Sequence, residues 1–141
     1  MIHEKSCGAV VFYLQNSNEP LYLLEHMVLG HIAMCKGHVE DGEDEHTTAL
    51  REIREETSLS VSFIPGFRIT TSYSPSDGIE KEVVYFLART ESTAAVPQPE
   101  EVAALSFHPL QEALSLLTYE SDRSILMEAD SFLRNHLPLG S

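Results

Sequence analysis

The sequence predicts an α/β fold, a mixed β-sheet packed between helices, on three observations. Ser6–Leu14 and Val83–Arg89 are near-continuous apolar runs rich in Val, Phe and Tyr, the pattern of strands buried on both faces. The stretch from Asp44 to Ser58 alternates apolar and charged residues at helical spacing. Near the end of the chain, Ile125, Leu126, Ala129, Phe132 and Leu133 recur at the spacing of one helix face. Strands buried on both faces need helices on both sides.

Each element follows from local chemistry. Leu21–Leu24, after Asn18-Glu19-Pro20, reads as the second strand of a hairpin with the first run. Asp44 is positioned to cap the central helix, which ends near Ser58. Val61–Ile64 and Phe67–Tyr73 read as strands separated by Pro65-Gly66, and Ser74-Pro75-Ser76-Asp77-Gly78 as a turn before the Val83 run. Pro97 and Pro99 mark a loop, Val102–Phe107 a further strand, and Pro109 the opening of a short helix through Leu117. Ser121 is expected to cap the last helix. With 141 residues, 43% of them hydrophobic, the chain reads as a single domain spanning 1–141.

Composition narrows the function. Nine Lys and Arg against 22 Asp and Glu give a formal charge of -13, which argues against duplex nucleic acid or an anionic membrane as the main partner. Cys7 and Cys35 are too few and too isolated to read as a zinc site or a disulfide framework. A reducing cytoplasmic setting is therefore expected, with Cys35 a free thiol near the site. No signal-peptide pattern and no run of about 18 apolar residues is visible.

The informative segment lies between Gly37 and Leu59. Gly37 is followed by five residues and Glu43, then by seven residues and Arg51-Glu52-Ile53-Arg54-Glu55-Glu56-Thr57-Ser58-Leu59. On a helix, Glu52, Glu55 and Glu56 stand at i, i+3 and i+4 and share a face, with Leu50 and Ile53 expected roughly opposite. Two carboxylates about 4 Å apart repel by about 4 kcal/mol at an effective dielectric near 20, so such a cluster calls for positive charge. Arg51 and Arg54 supply part of it. Hard divalent cations, which take oxygen ligands and a substrate's phosphates, would supply the rest. The competing reading is a solvated helix with salt bridges such as Arg51–Glu55. Gly37 and Glu43, in register ahead of the helix, favour the metal seat.

These residues and their spacing resemble the signature of the Nudix hydrolases. The resemblance implies an α/β/α sandwich with a mixed sheet and hydrolysis of a nucleoside diphosphate-linked substrate with Mg²⁺ or Mn²⁺. It implies Glu52, Glu55 and Glu56 as metal ligands, with the carbonyl of Lys36 as an extra one. By the same resemblance Arg51 orients the glutamates and pairs with Glu43, and Gly37 lets the backbone approach the metal. Glu101 matches an additional acid brought from outside the motif, with Glu100 its rival. Glu52 or Glu55 would be the general base.

Two positions depart from the family pattern. Ser58 stands where glycine is usual, at a helix end that favours a left-handed residue. His31-Ile32-Ala33-Met34-Cys35 replaces an upstream wall that often carries Trp and Pro.

Within the family, Lys36-Gly37-His38-Val39-Glu40, Gly66-Phe67, Tyr73, Lys81 through Ala88 and Leu117-Thr118-Tyr119 look like the diadenosine tetraphosphate hydrolase branch. That likeness implies a small nucleotide as partner, ATP and AMP as products, Tyr73, Tyr85 and Tyr119 lining an adenine site, and Lys36, Lys81 and His38 near phosphates. The alternatives are sibling pyrophosphatases acting on nucleoside triphosphates, ADP-ribose or RNA 5′ ends, a Nudix module that senses a nucleotide without hydrolysing it, and a structural acidic domain. Pro75 falls near a proline that marks the ADP-ribose branch.

Overall fold

A computed structural model describes residues 1–16 and 19–136. The hairpin turn expected at Asn18 lies outside the described residues. In chain order the elements are β1 (Ile2–Gln15), β2 (Glu19–Met27), β3 (Ile32–Ala33), β4 (Lys36–His38), α1 (Glu45–Thr57), β5 (Val61–Phe63), β6 (Ile69–Ser76), β7 (Ile79–Thr90), β8 (Val102–His108), α2 (Leu110–Leu116) and α3 (Glu120–His136).

The sheet is built on a long parallel pairing of β1 with β7, from Ile2 opposite Ile79 to Phe12 opposite Arg89. Its other ladders are antiparallel: β2 and β4 on β1, β3 and β8 on β2, and β5 and β6 on β7. The two central strands are buried on both faces because side chains alternate. Val10, Phe12, Tyr85 and Leu87 point to the layer formed with Ile125, Leu126, Ala129 and Leu133 of α3. Cys7, Ala9, Val11, Val84, Phe86 and Ala88 point to the other layer, beneath Ala49 and Ile53 of α1. The result is the expected α/β sandwich with a mixed sheet. Among the described residues no helix is long and apolar enough to cross a membrane.

Helix α1 is fixed at both ends. The Asp44 side chain accepts a hydrogen bond from Thr47 N at 2.8 Å, and Ser58 closes the helix in the left-handed region at φ 62°, donating its N–H to Arg54 O at 2.9 Å. The first turn is also tied to the sheet. Glu45 accepts from Arg68 Nε and Nη2 at 2.8 Å each and lies 2.6 Å from Lys5 Nζ.

Three local expectations are corrected. Strand β6 runs on to Ser76, so Ser74 and Pro75 lie within it and the turn narrows to Asp77-Gly78, with Gly78 at φ 80°. β6 pairs with β7 alone, and its register shifts between Tyr73 and Ser76; such an edge tolerates a residue that cannot donate to the ladder. Helix α3 starts at Glu120, which puts Ser121 inside its first turn instead of at the cap. Leu50 is only half-buried, and Ala49 and Ile53 form the core stripe of α1. The two-residue β3 and three-residue β4 are too short for a periodic signal.

Two stability outcomes follow. Ser58→Gly relieves the left-handed strain of an L residue and is expected to stabilise the chain by up to about 1 kcal/mol, read as a rise of about 2–4 °C in Tm. The hydrogen bonds from Arg68, then Lys5, hold the Glu45 carboxyl down at about 2, below its ordinary value of 4.5. Its stabilisation is therefore present above pH 4.5 and is lost as pH falls towards 2. Glu45→Gln should cost about 1 kcal/mol at pH 7, with the two proteins converging in stability near pH 2 in denaturant titrations.

Candidate active site

The acidic face of α1 turns gradually from solvent into the core. Glu55 has a side chain 55% exposed, that of Glu52 is 12% exposed, and Glu56 as a residue retains 5%. The carboxylates and the apolar stripe therefore adjoin instead of opposing each other. Glu56 stands three residues after Ile53 and seven after Ala49, which places it on the same stripe.

One guanidinium organises the outer half of this face. Arg51 Nε donates to Glu43 Oε2 at 2.7 Å and Nη2 to Glu43 Oε1 at 3.0 Å, while Nη1 reaches Glu52 Oε1 at 2.8 Å and Glu55 Oε2 at 3.2 Å. Nη2 also donates to His38 O at 2.9 Å, which ties β4 to the helix. Glu43 accepts further from Glu40 N at 3.0 Å and Thr48 Oγ1 at 2.8 Å. Arg51 first, then these donors, hold the Glu43 carboxyl down at about 2.

β4 lies hard against α1. A Cβ built on Gly37 would come within 2.0 Å of Glu52 Cδ, so the absent side chain is what lets this strand meet the carboxylate. Behind it, a Cβ on Gly8 would fall 1.9 Å from Cys35 O. Glycine at both positions brings β1, the segment before β4 and the helix to one point.

At that point the inner half of the site appears. Glu25 of β2, Cys35 and Glu56 each place a ligand-capable atom within 4.8 Å of the others, and all three are buried. Cys35 Sγ donates to Glu56 Oε1 at 3.3 Å. Burial first, then the neighbouring Glu25, pushes the Glu56 carboxyl above its ordinary range. Burial likewise raises Glu25 and Cys35, and Glu25 Oε2 has no hydrogen-bond partner.

The described residues include no lysine or arginine paired with Glu25 or Glu56. Buried carboxylates with no paired cation, opening on a cleft, suit a divalent metal ion. Glu25 escaped the sequence reading. Its signal is an acid embedded directly after the apolar Leu21–Leu24, where a solvated charge is not expected.

These groups line a cleft of about 730 Å³ whose walls include Glu25, Lys36, Gly37, His38, Arg51, Glu52, Glu55, Glu56, Tyr73 and Lys81. Glu100 and Glu101 both reach it, and Val28 N donates to Glu101 O at 3.0 Å, which fixes this backbone at the rim. Lys81, 3.8 Å from Glu4, also lines the cleft. A second cavity of about 400 Å³ adjoins the cleft, sharing Lys36 and Tyr73 and adding Tyr85, Tyr119 and Asp122.

The three tyrosines differ sharply. Tyr73 and Tyr119 are about half exposed, and the Tyr119 ring lies 5.9 Å from that of His31. Tyr85 is fully buried in the core layer and its hydroxyl lacks a partner, so it floors the cavity without offering a ring face for stacking. Nothing in the residues beside each tyrosine along the chain distinguishes them, because which ring is covered depends on neighbours brought in by the fold.

The NUDIX domain family matches residues 5–129. A mouse bis(5'-nucleosyl)-tetraphosphatase [asymmetrical] is 31% identical over 140 residues, covering 92% of this chain and 95% of that protein. The crystal structure of a C. elegans Ap4A hydrolase binary complex superimposes with a TM-score of 0.84 at 26% identity, covering 94% of this chain and 98% of that one. The NUDIX domain of Shewanella oneidensis NrtR, complexed with ADP ribose, shares the fold at a TM-score of 0.75 and 19% identity, over 94% of this chain and 90% of that one. With the signature helix, the glycine that meets it and the sandwich that carries both now described, this chain belongs to the Nudix hydrolase family.

Proposed function

We propose that this chain hydrolyses a phosphoanhydride of a dinucleoside polyphosphate, diadenosine tetraphosphate to ATP and AMP, in the cleft beside α1. The observation that carries the reading is the junction of two spaces. An acid-lined cleft runs into a cavity walled by Tyr73 and Tyr119, with Lys36 shared between them. The mouse and C. elegans relatives, named for this class of substrate, support the choice over the sibling pyrophosphatases.

Glu52, Glu55 and Glu56, with Glu101 from the rim and the carbonyl of Lys36, would hold Mg²⁺ or Mn²⁺. When bound, the metal supplies charge neutralisation at the phosphates and an acidified water. Arg51 keeps Glu52 and Glu55 in position, and its bond to the His38 carbonyl fixes the strand that carries Gly37. Lys36, Lys81 and His38, which all line the cleft, would meet a polyphosphate chain. Tyr73 and Tyr119 would flank a base in the second cavity, above the buried Tyr85. Glu52 or Glu55 would accept the proton of the attacking water, since both stay at the solvent side of the cluster.

The test is product analysis. Diadenosine tetraphosphate incubated with Mg²⁺ should yield ATP and AMP in equal amounts, faster than ADP-ribose, capped RNA or nucleoside triphosphates are cleaved; absence of ATP among the products rejects the reading. Metal-dependent nucleotide binding without turnover of any of these compounds would favour a sensor instead. Glu56→Gln should lower kcat by about 100-fold or more, as loss of several kcal/mol of charge stabilisation requires. Gly37→Ala would force β4 and the Glu52 carboxylate apart, and the rise in Tm on adding Mg²⁺ to the native chain should shrink or vanish in this variant.

A further inference from the structure

We infer that Glu25, Cys35 and Glu56 form a buried sulfur-and-oxygen site for a thiophilic divalent cation, zinc in the first instance, which shares only Glu56 with the all-oxygen seat proposed for Mg²⁺. The three side chains come from β2, from the segment before β4 and from α1, and their ligand atoms lie within 4.8 Å of one another. Tetrahedral zinc, with bonds of about 2.3 Å to sulfur and about 2.0–2.2 Å to carboxylate oxygen, sets neighbouring donors roughly 3.5 Å apart. Cys35 Sγ and Glu56 Oε1 already stand at 3.3 Å.

Hydrogen bonding among the Cys35 thiol and the Glu25 and Glu56 carboxyls accounts for one face of the cluster, but it leaves Glu25 Oε2 without a partner. Glu25 is 1% exposed, adjoins the pair, and has an oxygen without a partner. A buried polar atom left this way is costly unless a ligand completes it.

Sulfur decides which ion is preferred. Magnesium has little use for a thiolate, whereas zinc and cadmium bind it strongly. Glu25 and Glu56 both open on the cleft, which gives an entry path and an open fourth position for water. On binding, the thiol proton and any proton held between the carboxyls leave to solvent, and no redox change is involved. Cys35 itself is held by its carbonyl, which packs against Gly8 and accepts from Ala9 N at 3.1 Å. Zinc seated here would occupy Glu56 and oppose Mg²⁺-supported hydrolysis; that consequence, unlike the site itself, rests on the proposed function.

The experiment titrates the full chain, freed of metals by chelation, with Cd²⁺ as the probe and with Zn²⁺ as competitor, following the ultraviolet thiolate-to-cadmium absorption. One equivalent of Cd²⁺ should raise this band and Zn²⁺ should abolish it. Cys7→Ala should keep the band and Cys35→Ser should lose it, while Glu25→Gln should weaken Zn²⁺ by at least about tenfold. No band in the native chain overturns the inference, as does a band that survives Cys35→Ser or a Zn²⁺ affinity unchanged in Glu25→Gln. Glu25→Gln leaves the thiol in place, so it remains informative should Cys35→Ser fail to fold. A native chain that shows the band but hydrolyses no nucleotide rejects the proposed function and leaves this site standing; Mg²⁺-dependent hydrolysis without the band does the reverse.

Discussion

The charge on Arg51 is the constraint around which the site is arranged. A single guanidinium engages Glu43, Glu52 and Glu55 and pins the carbonyl of His38. Without it those acids would repel one another, more at Glu52, whose side chain is largely covered, than at the solvated Glu55. Planarity matters as much as charge. The fork meets Glu43 through two nitrogens and still offers donors to the helix and to β4, a geometry that a lysine's point charge could not reproduce.

That arrangement leaves the cluster divided. Outward of Arg51 the carboxylates are paired and partly solvated. Inward of it, Glu56 and Glu25 are buried beside a thiol, and Glu25 keeps an oxygen unbonded. Burial makes ionised carboxylates unfavourable there, so the inner half favours either protons or a metal. The same desolvation that makes ionised carboxylates costly here makes them receptive to a cation.

The rest of the sandwich holds these groups in register. The parallel β1–β7 pair, buried on both faces, gives α1 a rigid floor, and β4 borrows its position from β1 through the pairing of Cys7 with Gly37 and Gly8 with Lys36. Two glycines then permit approaches that any side chain would block. Caps at Asp44 and Ser58 set the length of the helix, and the Glu45 ion pairs anchor its first turn to Lys5 of β1 and to Arg68 just ahead of β6. Ser58 keeps the left-handed geometry that glycine usually supplies, so the departure in sequence costs local strain and leaves the helix end in place.

The amino-acid sequence alone determined whatever depends on neighbours along the chain. The limits of α1, its capping by Asp44, the shared face of Glu52, Glu55 and Glu56, the two doubly buried strands and the core stripe of α3 all follow from periods of 3.6 and 2 and from the local preferences of turn and cap residues. Tertiary structure alone decided what depends on sheet register. Glu25 meets Glu56 from 31 positions away in the sequence, Tyr85 is covered while Tyr73 is open, and the short β3 and β4 exist because longer strands beside them offer hydrogen bonds. Contacts between distant segments are selected by how strands align and how helices lie across them, and no window of residues carries that information.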